Sequence, residues 1–198
     1  MIKTKQDYLD YLQADKVSLG RKWSIKSYLF DDIWRFQRLL RRLEYLTNCK
    51  KSRLRRAVVA FAYHRAEVKL GFTIPINVFG PGLAIAHRGT IVVNRAARIG
   101  ANCRIHVCVN IGTEAGKGAD APTIGENCYI GPGAKIFGKI RIGDNTAIGA
   151  NSVVNADFLA GNATLGGVPA KVISHRSSEG LLVRGYVHRS LEADPACD

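Results

Sequence analysis

Residues Thr123–Val154 read TIGENCYIGPGAKIFGKIRIGDNTAIGANSVV. An aliphatic residue returns at every sixth position: Ile124, Ile130, Ile136, Ile142, Ile148 and Val154. Four residues after each of the first five comes a small or mid-sized one: Cys128, Ala134, Ile140, Thr146 and Ser152. Glycine tends to follow the aliphatic directly, as at Gly125, Gly131, Gly143 and Gly149, and Asn127, Asn145 and Asn151 stand three after it. A helix repeats every 3.6 residues and a strand every two, so neither alone sustains this period. Six residues make one short strand plus one corner, and three such units close a triangular coil of about 18 residues. The aliphatics then point inward and stack into ladders. Glycine and asparagine supply corner conformations with positive φ at least steric cost.

The pattern extends towards the N-terminus through Val93, Ile99, Ile105 and Ile111, with Ala97, Cys103 and Val109 in the second column. Between Ile111 and Ile124 the interval is 13 rather than 12. The segment Thr113–Pro122 (TEAGKGADAP) is therefore expected to leave the coil as an excursion loop, a common place for function on a rigid scaffold. Counting back six from Val93 lands on His87, which puts a histidine in a slot expected to face inward. His106 stands where the grid prefers glycine, and is expected to face outward beside a corner.

Upstream of Gly71 the period is helical. One pattern runs from about Ser24 to Asn48 through Ile33, Phe36, Leu40 and Leu43. A second runs from Ser52, a plausible N-cap, to Leu70 through Leu54, Val58, Phe61, Ala62 and Val68. Lys5 to about Gln13 suggests a shorter third helix. The organisation read from the sequence is thus a basic helical region 1–70, a coil 71–174 with an excursion loop 113–122, and a tail 175–198. Residues 1–70 hold 17 basic against 7 acidic residues, a net +10 of the chain's +13. Such a surface suits peripheral attraction to an anionic membrane face. No nucleic-acid-binding motif accompanies it.

No apolar run approaches the roughly 20 residues of a membrane span, and the opening MIKTKQDYLDYLQ lacks the core of a secretory signal, so a cytoplasmic protein is expected, with the inner membrane face as the alternative. The five cysteines show no zinc spacing, no metal is expected, and Cys103, Cys108 and Cys128 read as small buried thiols within the coil.

The stretches AHRGTIVVN (Ala86–Asn94), VNIGTEAGKG (Val109–Gly118), APTIGENCYIGPGAKIFG (Ala121–Gly138) and IGANSVV…GGVPAKVI (Ile148–Ile173) resemble the hexapeptide-repeat acyltransferases, and among them the serine acetyltransferases. The resemblance implies a mainly β fold, a left-handed parallel β-helix preceded by the small helical region. It also implies a homotrimer with active sites between subunits and acetyl-CoA as co-substrate. His87 matches the family's histidine base, suited to the task because its pKa lies near neutral pH. Gly112, Thr113, Pro132, Ala150 and Asn151 match the pantetheine groove, and Lys171 matches a basic position near the nucleotide phosphates. A backbone N–H near Gly112 is the expected oxyanion donor. His106 and Asn110 are candidate acceptor-site residues.

The sequence departs from the family at three positions. Phe72 stands at the aspartate that orients the histidine, Ala86 at the acid preceding it, and Ala121 at the loop histidine before Pro122. These losses remove charge partners that serine needs, so the expected acceptor is a saccharide hydroxyl, as on capsule or exopolysaccharide units. Serine is the first alternative and a non-catalytic β-helix scaffold the second.

Overall fold

A computed structural model describes residues 1–20, 24–116, 118 and 120–187. Among the described residues four helices come first: α1 (Lys5–Ser18), α2 (Ile25–Phe30), α3 (Asp32–Asn48) and α4 (Arg53–Leu70). α1 opens with a capping box, Thr4 and Asp7 exchanging side chain-to-backbone bonds, and runs on to Ser18, well beyond Gln13. The single helix expected over Ser24–Asn48 is two. Asp31 breaks it, its extended backbone (φ −79°, ψ 101°) placing Oδ1 to accept from the amides of Ile33 and Trp34. Ser52 caps α4, and Gly71 at φ 74° ends it.

The apolar face expected of α4 is the wrong one. Leu54, Val58, Phe61 and Val68 are exposed, while Val59, Tyr63 and Leu70 face the core. α4 carries two apolar stripes, and the sequence period cannot say which is covered.

Fourteen strands follow in chain order among the described residues: β1 (Phe72–Thr73), β2 (Ala84–Ile85), β3 (Ile91–Val93), β4 (Arg98–Ile99), β5 (Arg104–Ile105), β6 (Val109–Gly112), β7 (Thr123–Ile124), β8 (Tyr129–Ile130), β9 (Lys135–Phe137), β10 (Arg141–Ile142), β11 (Ala147–Ile148), β12 (Val153–Val154), β13 (Thr164–Gly167) and β14 (Ala170–Ser174). Strands two or three apart in sequence pair in parallel, giving three sheets: β1-β3-β6-β9-β12, β4-β7-β10 and β2-β5-β8-β11-β13. This is a left-handed parallel β-helix of hexapeptide repeats, entered through α4. Register stacks the inward aliphatics: Val93, Ile111, Ile136 and Val154 on the first face; Ile99, Ile124 and Ile142 on the second; Ile85, Ile105, Ile130, Ile148 and Leu165 on the third. All are buried, as is the second column from Ala97 to Ser152. The coils approach so closely that a Cβ on Gly100 would meet the backbone of Gly125 and Glu126 at 2.7–2.8 Å. β14 leaves the coil, folding back antiparallel on β13.

Asn102, Asn127, Asn145 and Asn162, all at positive φ, form a ladder of side-chain hydrogen bonds of 3.0–3.1 Å along the corner between the second and third faces. The tail runs back along this corner: Ser178 donates to Asn145 O and Asn127 O, and Tyr186 exchanges two bonds with Asn102. Nothing in the sequence foretold that path, and residues 188–198 lie outside the described residues.

The helices hold the first coil through one buried polar cluster. Arg41 donates to both oxygens of Asp15 (2.8 and 3.1 Å), to Glu44 (3.0 Å) and to the carbonyls of Phe79 and Gly80. Asp15 in turn accepts from the amides of Gly82 and Leu83, both at 2.9 Å.

Candidate active site

The hexad count fails between Ile85 and Val93, which are eight residues apart. The inward slot belongs to Ile85, which is fully buried, and His87 is exposed in the enlarged corner that joins β2 to β3. A phase extrapolated across extra residues names the wrong side chain, because the surplus is absorbed at the corner. His87 thus stands where a base can reach a ligand.

The corner from the third face to the first brings several candidates into one line. His106 follows β5 and lies against His87 (ring centroids 5.9 Å apart) and against Tyr129 (5.0 Å). It is half-buried rather than fully outward, and its Nε2 is buried with no hydrogen-bond partner among the described residues. Burial, then the charges of Arg104 and His87, lower its pKa. Pro132, Ala150 and Asn151 follow along the same corner and are exposed, with Asn151 N donating to Pro132 O at 2.9 Å.

Gly112 and Thr113 lie elsewhere, at the far end of β6 where the excursion loop begins, on the opposite edge of the first face. Asn110 is exposed within that face, and Lys171 is exposed on β14, outside the coil. One chain therefore does not bring the expected oxyanion donor to its own His87. Cys103 and Cys128 are buried as expected, whereas Cys108 is exposed, at a corner position with φ 60°. Lys117 and Ala119 of the excursion loop lie outside the described residues.

The departures from the family pattern have clear structural consequences. Phe72 is buried edge-to-face against Phe36 (5.0 Å), which stacks on Tyr63, so no carboxylate fits there. Ala86 is half-buried and donates its N–H to Ile105 O, and Ala121 packs on the core. Charge reaches His87 from another direction. A cavity of 520 Å³ is lined by Ala86, His87 and Arg88 on one side and by Ser24, Lys26, Phe30, Asp31 and Ile33 on the other. Sequence reasoning missed Asp31, Lys26 and Arg88. The signal for Asp31 was the pair Asp31–Asp32 ahead of an apolar helical run, the usual mark of an N-cap.

Residues 121–156 match the model of the bacterial transferase hexapeptide family (six repeats). Over that stretch the chain is similar to the hexapeptide-repeat bacterial transferases. It is 39% identical over 112 residues to the serine acetyltransferase of Synechococcus elongatus, covering 56% of this chain and 46% of the relative. To that of Escherichia coli it is 35% identical over 127 residues, covering 63% and 46%. The chain thus spans about half the length of these curated relatives. Among solved structures it resembles Neisseria gonorrhoeae serine acetyltransferase (TM-score 0.71, 29% identity, 88% of this chain and 68% of that one). It also resembles the Brucella abortus serine acetyltransferase complex with coenzyme A (TM-score 0.65, 25% identity, 87% and 68%).

These likenesses overturn the saccharide acceptor, since both the relatives and the structural neighbours of this hexapeptide-repeat chain are serine acetyltransferases. The inference to a sugar rested on lost charge partners at Phe72, Ala86 and Ala121, but the cavity at His87 is not without charge. Among the described residues no helix is long and apolar enough to cross a membrane.

Proposed function

We propose that the chain is an acetyl-CoA-dependent serine O-acetyltransferase with His87 as general base. The observation that carries this reading is the set of serine acetyltransferases to which the chain is similar, joined to a histidine exposed in a charged cavity. His87 takes the proton of the serine hydroxyl as its oxygen attacks the thioester carbonyl. The tetrahedral intermediate then collapses, the C–S bond breaks, and the imidazolium returns the proton to the coenzyme A thiolate. His106, with its lowered pKa, stays neutral at pH 7 and so does not oppose the charge that forms on His87. Backbone groups at Pro132, Ala150 and Asn151, with Gly112 and Thr113, are the reading's pantetheine groove, and Lys171 serves the phosphates.

Gly112 and His87 sit on opposite edges of one face, so a site using both needs two chains. That separation supports a homotrimer with active sites between copies, in which the backbone N–H near Gly112 of one copy receives the oxyanion formed at His87 of its neighbour. Dependence on acetyl-CoA supports a cytoplasmic place. The exposed stripe of α4, beside Arg53, Arg55, Arg56 and Arg65, is the surface that would meet an anionic membrane, and co-sedimentation with phosphatidylserine vesicles tests it.

The direct test follows coenzyme A release from acetyl-CoA with L-serine, for wild type and His87→Ala. The variant is expected to lose about 10²–10⁴-fold in kcat. Release that ignores serine, or that survives in the variant, refutes the assignment.

A further inference from the structure

The positions where the resemblance implies an acid beside the base and a loop histidine are here Ala86 and Ala121, yet the cavity at His87 is lined by a carboxylate and two cations. Asp31 reaches it as the N-cap of α3. Its Oδ1 accepts from two amides at 3.0 and 3.1 Å, which fixes the carboxylate at the cavity wall. Arg88 follows His87 directly, and its guanidinium lies 3.3 Å from Asp32 Oδ2. Asp32 is also bonded to Lys69 at 2.8 Å, and this contact, followed by the Arg88 charge, holds the Asp32 carboxyl below its usual range. Arg88 is thereby tethered at the rim while still lining the cavity. Lys26 faces it from α2.

An acceptor bearing both an ammonium and a carboxylate loses water around two charges on entering a cavity, and each needs an opposite partner there. A cavity holding one carboxylate and two cations beside the base meets that demand.

We infer that Asp31, Arg88 and Lys26 form the amino-acid subsite of this cavity, Asp31 binding the acceptor's α-ammonium and Arg88 with Lys26 its α-carboxylate, so that the side-chain hydroxyl is presented to His87. This rests on the serine acetyltransferase reading, with Asp31 and Lys26 supplied by the helical region and Arg88 by the corner that carries His87. Asp31 is a specificity-determining residue in this arrangement, and the proton transfer remains with His87.

The test is Asp31→Asn, because asparagine caps a helix as well as aspartate and so keeps the start of α3. Removing a charged hydrogen-bond partner is expected to raise KM for L-serine about tenfold to a hundredfold. KM for acetyl-CoA and the melting temperature should stay put. The sharper readout is selectivity: wild type should prefer L-serine over 3-hydroxypropanoate, which lacks the ammonium, and Asp31→Asn should lose that preference. Arg88→Gln, at an exposed position that caps no helix, should erase instead the preference for L-serine over ethanolamine, which lacks the carboxylate. Serine turnover by wild type with both preferences unchanged in the variants overturns the subsite and leaves the serine acetyltransferase reading standing. No serine turnover by wild type overturns both.

Discussion

Replacing Arg41 by methionine separates two views of the helical region, a loose appendage or part of the fold. The Arg41 guanidinium is fully buried, and so is the Asp15 carboxylate, while the Glu44 side chain is 2% exposed. Burial works against the charge on Arg41, but the two carboxylates outweigh it and push its pKa up. Methionine fills much of the volume and leaves two anions facing each other with no cation. Breaking a buried pair in this way costs about 3–5 kcal/mol. For a chain of this length, where 1 kcal/mol moves the melting temperature by about 2–4 °C, the expected drop is about 6–20 °C.

The assay is urea unfolding followed by circular dichroism, where a shifted midpoint with an unchanged slope reports stability alone. A triple variant, Arg41→Met with Asp15→Asn and Glu44→Gln, removes the stranded charges and should recover more than half of the loss. Asp15 also holds the amides of Gly82 and Leu83, four residues before His87, so the single variant should lose serine turnover in its folded fraction too. A loss under about 1 kcal/mol, or no recovery in the triple variant, would show that the cluster does not hold helices to coil and refute the electrostatic account.

Ile130 is fully buried in the middle of the third-face ladder, so Ile130→Ala should cost about 2–5 kcal/mol in urea unfolding; a cost below that of an exposed substitution contradicts the stacked core. His106 has a pKa below its ordinary 6.5, so its contribution to stability is complete above about pH 6.5 and is lost as pH falls through the lowered folded-state value. His106→Gln should flatten the melting temperature between pH 7 and 5, and an unchanged slope sinks that assignment. Acetyl-CoA at a hundred times its Kd should add about 2.7 kcal/mol to stability, whereas a non-catalytic scaffold shows no shift.

The coil was readable because its cause is local and repeated. Each Ile or Val in the hexad grid is buried by the neighbour one coil above and one below, so the pattern records the contact directly. α4 lacked that property. Its two stripes, Leu54-Val58-Phe61 and Val59-Tyr63-Leu70, are equally helical in period, and only the presence of the coil at Phe72 and Ile74 decides between them. The break at Asp31 was missed for a related reason. A single capping side chain ends a helical run without disturbing the apolar spacing on either side.

The residues proposed for chemistry sit where the period fails, and this is why counting located the coil but misplaced His87. A strict hexad must point each side chain either into the core or along a ladder, so it has no room to aim a base at a ligand. The two extra residues between Ile85 and Val93 release His87 from that constraint, and the longer excursion after Gly112 opens the opposite edge of the same face. Of the charged side chains lining the cavity at His87, Arg88 adjoins it in the enlarged corner, while Lys26 of α2 and Asp31 between α2 and α3 come from outside the repeat. On the proposed reading, acceptor recognition can then change by exchange of a few residues around the corner while the coil and His87 remain.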